Sequence, residues 1–474
     1  MELQKVLLID LGGSYTQLIA RKIREKGVYS EITPCTTGLK KIRNRDARAL
    51  IISGGPEQLD EKIFSMLEKD IFQLGRPIMA VGHGLRVLPG VESSDTTDIA
   101  GQLHGLHYRA IFDGFEAGRD TPGGATVPLL GALSLPEEKS GGDLLDYFLF
   151  EVAGLEPTWT PASFIKHAIE AAGSQIPEDA HAVCGLSGGI DSVVAALLVH
   201  RAIGDRLTCI FVDHGLMREG EAEEVTEIYR RNYNLPVMVV DAAAEFIERL
   251  KGITDPEEKR QIIGEHFIRV FEREASYLKG VEYLVQGTIY PDIIESISPS
   301  GEIIKSHHNV GGLPEKMRLK LIEPIRELFK DEVRDVAEIM GLPAEIVWRQ
   351  PFPGPGLGVR ILGEVTEEKI RIVRRANAIV EEEVERAGLT YSIWQCFAIL
   401  PEIRSVGVEK GKRTYAHSII LRAVTSRDAM TADWYRFPHD FLDRLARRIT
   451  DEIPEINRVL YDITSKPPAT IEWE

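Results

Sequence analysis

Seven residues, Leu186-Ser187-Gly188-Gly189-Ile190-Asp191-Ser192, constrain this chain most, because they join an apolar strand to an apolar helix through a turn suited to phosphate. Residues 181–185 ahead of them read as a buried strand of a parallel sheet, and residues 193–199 behind them as an apolar helix. The turn between must be tight. Gly188 and Gly189 carry no side chain to block an anion, and the hydroxyls of Ser187 and Ser192 can donate to phosphate oxygens. The new helix aims unpaired N–H groups and its positive end at the same spot. A Walker A loop needs lysine and then Ser or Thr after its second glycine, and Ile190-Asp191-Ser192 stand there instead. Asp191 is a hard carboxylate that can hold Mg²⁺ against phosphates or set the loop's geometry. A plain Ser-Gly-Gly loop is the bland alternative, disfavoured because strand, turn and helix agree.

The length, 474 residues, suits about three domains. With 43% hydrophobic and 27% charged residues, and no apolar run long enough to span a bilayer, the chain reads as globular with no membrane partner. A net charge of −17 disfavours a nucleic-acid footprint. Met1-Glu2-Leu3-Gln4-Lys5 lead straight into a strand at 6–9 with no cationic, apolar leader, so a cytoplasmic location is expected. Cys35, Cys184, Cys209 and Cys396 form no C-x-x-C pair, and buried reduced thiols are the favoured reading for Cys184 and Cys209.

Three regions follow one another. In residues 1–155, strands at 6–9, 49–52 and 78–81 each run into a glycine turn, the last being Gly82-His83-Gly84, which gives an α/β layer with its site at the strand ends. Residues 113–124 read as a loop. Residues 159–348 hold the Ser-Gly-Gly turn and further alternating strands and helices. There an apolar strand at 207–212 ends in Asp213-His214-Gly215, and adenine is expected near Val212. Residues 349–474 open on Gln350-Pro351-Phe352-Pro353-Gly354-Pro355-Gly356-Leu357-Gly358-Val359-Arg360, a run that cannot be a helix, followed by a helix at 366–385. The final stretch, Lys466-Pro467-Pro468-Ala469-Thr470-Ile471-Glu472-Trp473-Glu474, reads as tied down.

These motifs carry resemblances. Ser187–Ser192 resembles the PP-loop of the ATP pyrophosphatases, which cleave ATP between its α and β phosphates. Residues 1–155 resemble the class I glutamine amidotransferases, whose nucleophile sits in a C-x-G turn and whose histidine lies in an H-P-E motif. Gly82 occupies the nucleophile's place, Gly84 keeps the second glycine, and Leu133-Ser134-Leu135-Pro136-Glu137 match the histidine segment with Leu135 at the base and Glu137 left over. Neither glycine nor leucine can do that chemistry, and neither His83 nor Cys35 replaces the thiolate. A relic domain kept for packing is the first expectation, and a docking surface for a separate glutaminase chain the second.

Residues 159–474 resemble the GMP synthetase family. The motifs are the turn itself, residues 255–260, Gln286-Gly287-Thr288-Ile289-Tyr290-Pro291-Asp292, residues 304–312, the Pro-Gly run and the last nine residues. That resemblance implies a flavodoxin-like amidotransferase-type domain, a doubly wound parallel-sheet pyrophosphatase domain and a smaller α+β dimerisation domain forming a homodimer. It implies ATP- and Mg²⁺-dependent amination of XMP through an adenylyl-XMP intermediate, with ammonia as the direct nitrogen donor because the glutaminase residues are lost. ATP would lie on Ser187, Gly188, Gly189, Ile190, Asp191, Ser192 and Val212. Asp191 would hold the metal, and Lys330 and Lys305 would act at the phosphates, Lys305 with His307 and His308 as a lid. Arg260, Lys466 and Glu472 would bind XMP. For the two lysines a solvated surface position is the alternative. His214, where asparagine is expected, leaves open a paralogue that aminates another purine nucleotide. A noncatalytic nucleotide-binding regulator is the third alternative.

Overall fold

The computed structural model describes residues 4–12, 15–54, 69–88, 109–111, 114–120, 126–132, 144–295, 319–409, 411–426 and 431–474. The chain forms two compact units, one of Met1–His167 with Ile289–Gly311, the other of Ala168–Thr288 with Gly312–Glu474.

The first unit is built on a seven-stranded sheet in the order β2-β1-β3-β4-β7-β6-β5. Its strands are β1 Lys5–Asp10, β2 Tyr29–Pro34, β3 Ala49–Ser53, β4 Ile78–Val81, β5 Arg109–Ile111, β6 Gly114–Asp120 and β7 Thr126–Ala132. The five from β2 to β7 pair in parallel, while β6 and β5 add an antiparallel edge. Val6–Ile9 and residues 49–52 are wholly buried, as continuous apolar runs in a parallel sheet should be.

One expectation fails here. Residues 114–120 form a strand and not a loop, with Gly114 opposite Ala132 and Asp120 opposite Thr126. Two glycines in seven residues weaken the local β signal, but a partner strand supplies the ladder regardless, because pairing context outweighs intrinsic preference.

The second unit carries two sheets. In the first, β10-β9-β8-β11-β12, every pair is parallel. The strands are β8 His181–Leu186, β9 Leu207–Asp213, β10 Val237–Asp241, β11 Val281–Val285 and β12 Lys320–Ile322. Strand order reverses at β8, so the crevice beyond the carboxyl ends of β8 and β11 is the switch point where open α/β sheets bind ligands. The Ser-Gly-Gly turn and Gln286-Gly287-Thr288 both lie there. The helix Ile190–Ile203 buries ten of its residues, including the run 192–199, and so packs as a core helix.

The other sheet has β15 Lys412–Thr425 as its hub. To it pair β13 Gln395–Ile399, β14 Arg404–Glu409 and β16 Asp433–Trp434 antiparallel, and β17 Ile456–Asp462 parallel. Helices Glu367–Arg386 and His439–Glu452 complete an α+β arrangement. One continuous core runs through the unit, from Val183, Ile210 and Phe246 to Ile372, Val380, Leu421 and Phe441. Each fully buried large side chain of this set contributes about 1.5–3 kcal/mol.

The Pro-Gly run departs from expectation at its end. Gly356–Arg360 form a short 3₁₀ helix, because the prolines stop at Pro355 and the residues beyond have free N–H groups; Gly358 N donates to Pro355 O at 3.3 Å. All four cysteines are buried and free, with Cys184 opposite Cys209 on adjacent strands. Among the described residues no helix is long and apolar enough to cross a membrane.

Candidate active site

Gly188 adopts φ +76°, a left-handed conformation open to glycine at little cost, and Gly189 caps the helix Ile190–Ile203 without a side chain. The helix start therefore has no intramolecular side-chain acceptor, which leaves its first N–H groups for an anion. The serines brace the turn: Ser187 N donates to Ser192 Oγ at 3.3 Å, the two hydroxyls lie 3.2 Å apart, and Ser192 Oγ donates to Gly189 O at 2.9 Å. Behind Gly188, a Cβ would meet Glu221 Oε1 at 3.1 Å. That carboxylate is buried and held by Arg218 and Arg349.

Asp191 and Lys330, 139 residues apart, come together at this turn. Lys330 Nζ donates to both carboxylate oxygens, at 2.7 and 2.6 Å. Lys330 opens the helix Lys330–Ile339, whose start is fixed by Glu332 accepting from Phe329 N at 2.8 Å. Across the switch point, a Cβ on Gly287 would stand 2.8 Å from both Asp191 C and Ser192 N, so the strand end of β11 touches the turn's backbone. The neighbouring Thr288 is 1% exposed and its hydroxyl has no hydrogen-bond partner among the described residues.

Val212 is buried in the unit's core within β9. His214 is buried too. Burial drives its imidazole down to about 4, outweighing Asp213 and Glu221, so the ring is neutral. Its Nδ1 accepts from Leu216 N at 3.1 Å, and its ring lies 5.6 Å from that of Phe246. Gly356 at φ +62° packs against it, because a Cβ there would strike Leu216 O at 2.3 Å and His214 Cε1 at 3.1 Å. His214 thus works as a packing residue. A cavity of about 470 Å³ opens past the ends of β9 and β10, lined among others by Asp213, Met217, Arg218, Asp241 and Arg374.

The last residues are tied down as expected. Arg422, wholly buried, donates to Thr470 O at 3.0 Å and pairs with Asp462 at 3.3 Å, while Trp473 Nε1 donates to Asp462 at 2.9 Å. Glu472 receives Arg360 through both oxygens, at 2.9 and 3.2 Å, and Gln395 at 3.3 Å. Arg260 donates to the backbone oxygen of Glu474. Lys466 lies further up the tail, its backbone paired both ways with Ala432. Sequence reasoning singled out Arg260 and Glu472 and gave no role to Lys259 and Glu474, which lie beside them in the same two motifs.

In the first unit, β4 runs into a tight turn at Gly82-His83-Gly84. Gly82 has φ +59°, and a Cβ added to it would stand 2.4 Å from Gly54 O. Gly54 N is itself committed to Val81 O at 3.2 Å. At Gly84 a Cβ would meet Ile52 O at 2.4 Å. Cys35 follows β2 and is 1% exposed; burial, and next the charge of Asp10, push its thiol up, which removes thiolate. Asp10 is held up by burial, against bonds from Thr16 at 2.7 Å and Gly12 N at 2.9 Å. Leu135 and Glu137, like Lys305, His307 and His308, lie outside the described residues.

Comparison with known proteins follows this geometry. Residues 382–473 match the family described as GMP synthase C terminal domain, and residues 7–102 match Glutamine amidotransferase class-I. A GMP synthase [glutamine-hydrolyzing] of Clostridium novyi (strain NT) is 47% identical over 511 residues, covering all of both chains. The chain belongs to the GMP synthase family. Proteins of the same description from Halothermothrix orenii and Geobacillus kaustophilus are 47% and 48% identical, again over 100% of both chains. These alignments are longer than the 474 residues of this chain, so part of each relative faces a gap here. A solved NMN synthetase from Francisella tularensis covers 46% of this chain and 84% of its own at 14% identity and a TM-score of 0.31, too low to support any inference.

Proposed function

We propose that this chain makes GMP from XMP, ATP and ammonia, and that it does not release ammonia from glutamine itself. The O2 oxygen of XMP attacks the α-phosphorus of ATP, pyrophosphate leaves, and AMP is carried on the purine oxygen. Ammonia then adds at C2, a proton is lost, and AMP departs with the oxygen. Both nucleotides are anionic, so the site has to offset their repulsion.

The turn from Ser187 to Ser192 is the pyrophosphate cradle, by virtue of its uncapped helix start and its side-chain-free glycines. Asp191 is the one carboxylate on this turn, and among the described residues no cluster of three or more metal-ligating side chains exists. That fits Mg²⁺, which binds through one or two carboxylates together with substrate phosphates and neutralises their charge. Asp191 would hold the ion and Lys330 would turn to the phosphates. Their mutual pair is partly exposed, contributes at most about 1 kcal/mol, and is readily exchanged for ligand. Lys305 is assigned to the same phosphates, and Val212 to the adenine side through its backbone. Arg260, Lys466 and Glu472 are assigned to XMP, the two cations to its phosphate and the acid to its base or ribose. The division into 1–155, 159–348 and 349–474 is supported by the three sheets, one of which lies within each range.

The ammonia reading rests on Gly82. Its position has neither a thiol nor room for one, and Leu135 stands where the histidine belongs. The relatives named above are described as glutamine-hydrolyzing, so this reading sets the chain apart from them. His214 is buried against Phe246 and Gly356, which weighs against its signalling a different purine. A second copy of the chain would cover Val406, Val408 and Tyr415, which are 57%, 73% and 66% exposed on the paired strands β14 and β15, Val406 directly opposite Tyr415.

Multiple-turnover pyrophosphate release by the purified chain should require XMP and ammonium together, XMP and ATP alone giving at most one equivalent per site, and glutamine should not replace ammonium. Turnover with glutamine alone would end the ammonia reading, and XMP-independent or absent turnover would end the synthetase reading.

A further inference from the structure

Helix Pro256–Tyr277 starts from a formed cap, Asp255 accepting from Glu258 N at 2.9 Å with proline in the first turn. This fixes where Lys259 and Arg260 point, about 100° apart around the helix axis. Lys259 turns inward and is 0% exposed, donating to Ile361 O at 2.7 Å and to the carboxylate of Glu474. A buried ammonium without a counter-charge is strongly unfavourable, and Glu474, its side chain 7% exposed, is the carboxylate that supplies one. The other oxygen of that carboxylate accepts from Gly363 N at 3.4 Å. With its side chain locked, Glu474 presents its backbone oxygen to Arg260 Nη2. The Arg260 guanidinium makes no other hydrogen bond or ion pair among the described residues, which leaves four of its N–H donors for an anion.

We propose that Glu474 is a positioning residue: anchored on the buried Lys259, it aligns the guanidinium of Arg260 and so sets the geometry in which this chain receives the nucleoside monophosphate. This rests on the assignment of Arg260 to XMP. A guanidinium held at one edge by the main-chain oxygen of Glu474 loses little further freedom when it takes a phosphate on its open edge, which is the advantage of preorganisation. The arrangement also makes two distant motifs, residues 255–260 and the last nine residues, parts of one device.

The test is ammonium-dependent pyrophosphate release by the full chain. Glu474→Gln should raise the KM for XMP on the order of tenfold while the KM for ATP stays within about twofold. Lys259→Met combined with Glu474→Gln replaces the buried pair with a neutral one of similar size, and serves if the single variant does not fold. It should show the same rise. Adding Glu474→Gln to Arg260→Ala should change nothing further, since the two act in series. An unchanged KM for XMP in both Glu474 variants, with Arg260→Ala raising it, overturns the positioning role alone. If Arg260→Ala itself leaves that KM unchanged, the assignment of Arg260 to XMP fails first.

Discussion

The molecule holds two turns of one design and opposite fate. In each, a buried parallel strand runs into a glycine at positive φ and then into helix: Gly82 after β4, Gly188 after β8. After Gly188 the helix start has no side-chain cap, and Asp191 and Lys330 converge on it. At Gly82 the main-chain oxygen of Gly54 stands 2.4 Å from where a Cβ would be. The difference teaches that one strand-turn-helix corner can have quite different surroundings, because the shape is fixed by the sheet and by glycine, while the chemistry depends on one or two side chains. Resemblance of shape alone would have assigned both turns a reaction.

The comparison breaks most visibly if the second turn proves dispensable. Asp191→Asn, which keeps the size and removes the charge, should lower ammonium-dependent kcat by about 10³, read as initial rates of pyrophosphate release. A loss below tenfold would leave the two turns equally inert. Acid unfolding sharpens the same contrast from the packing side. His214 has a folded-state value of about 4 against an ordinary 6.5, so it contributes nothing to pH dependence above 6.5. As pH falls from 6.5 toward 4 the unfolded chain takes up a proton that the folded chain does not, and stability falls by up to about 3 kcal/mol. His214→Asn should flatten that limb in denaturant melts at pH 7 and pH 4.5, and an unchanged slope would show that the ring is not buried as described.

Smaller effects probe the close approaches. Gly287→Ala would force the turn away from β11, and a displacement of that size should reduce kcat/KM about 10²-fold with the fold retained by circular dichroism. Normal kcat/KM would show the contact to be slack. Gly82→Cys should yield no glutaminase and lower stability by about 1–3 kcal/mol, since a Cβ there meets Gly54 O. Appearance of glutamine hydrolysis in that variant would mean that the first turn lacks only its thiol.

The sequence made the second turn legible in full, because strand, glycines, serines and helix stand within some twenty consecutive residues. It also singled out Gly82 and Leu135 from one motif each, and of the two only Gly82 lies among the described residues. It could not show that Lys330 reaches Asp191 or that Gly287 touches the turn, since both depend on the strand order of a parallel sheet. The ladder at Gly114–Asp120 escaped notice because its partner, not its own composition, makes it a strand. His214 looked like an altered ligand contact and is a core residue. Its role is set by Gly356, which lies in the Pro-Gly run and comes close only in the fold. Lys259 and Glu474 were passed over for a similar reason: a buried ion pair spanning 215 residues leaves no local signature.

The central claim, that this chain activates a purine oxygen with ATP and takes its nitrogen from outside, is tested most directly by isotope. The purified protein should be given XMP, ATP, Mg²⁺, ¹⁴N-ammonium and glutamine labelled with ¹⁵N in its amide, and the GMP weighed by mass spectrometry. The account predicts GMP whose new amino group carries ¹⁴N only. Incorporation of ¹⁵N in excess of that from spontaneous glutamine breakdown, or no GMP at all, would contradict it.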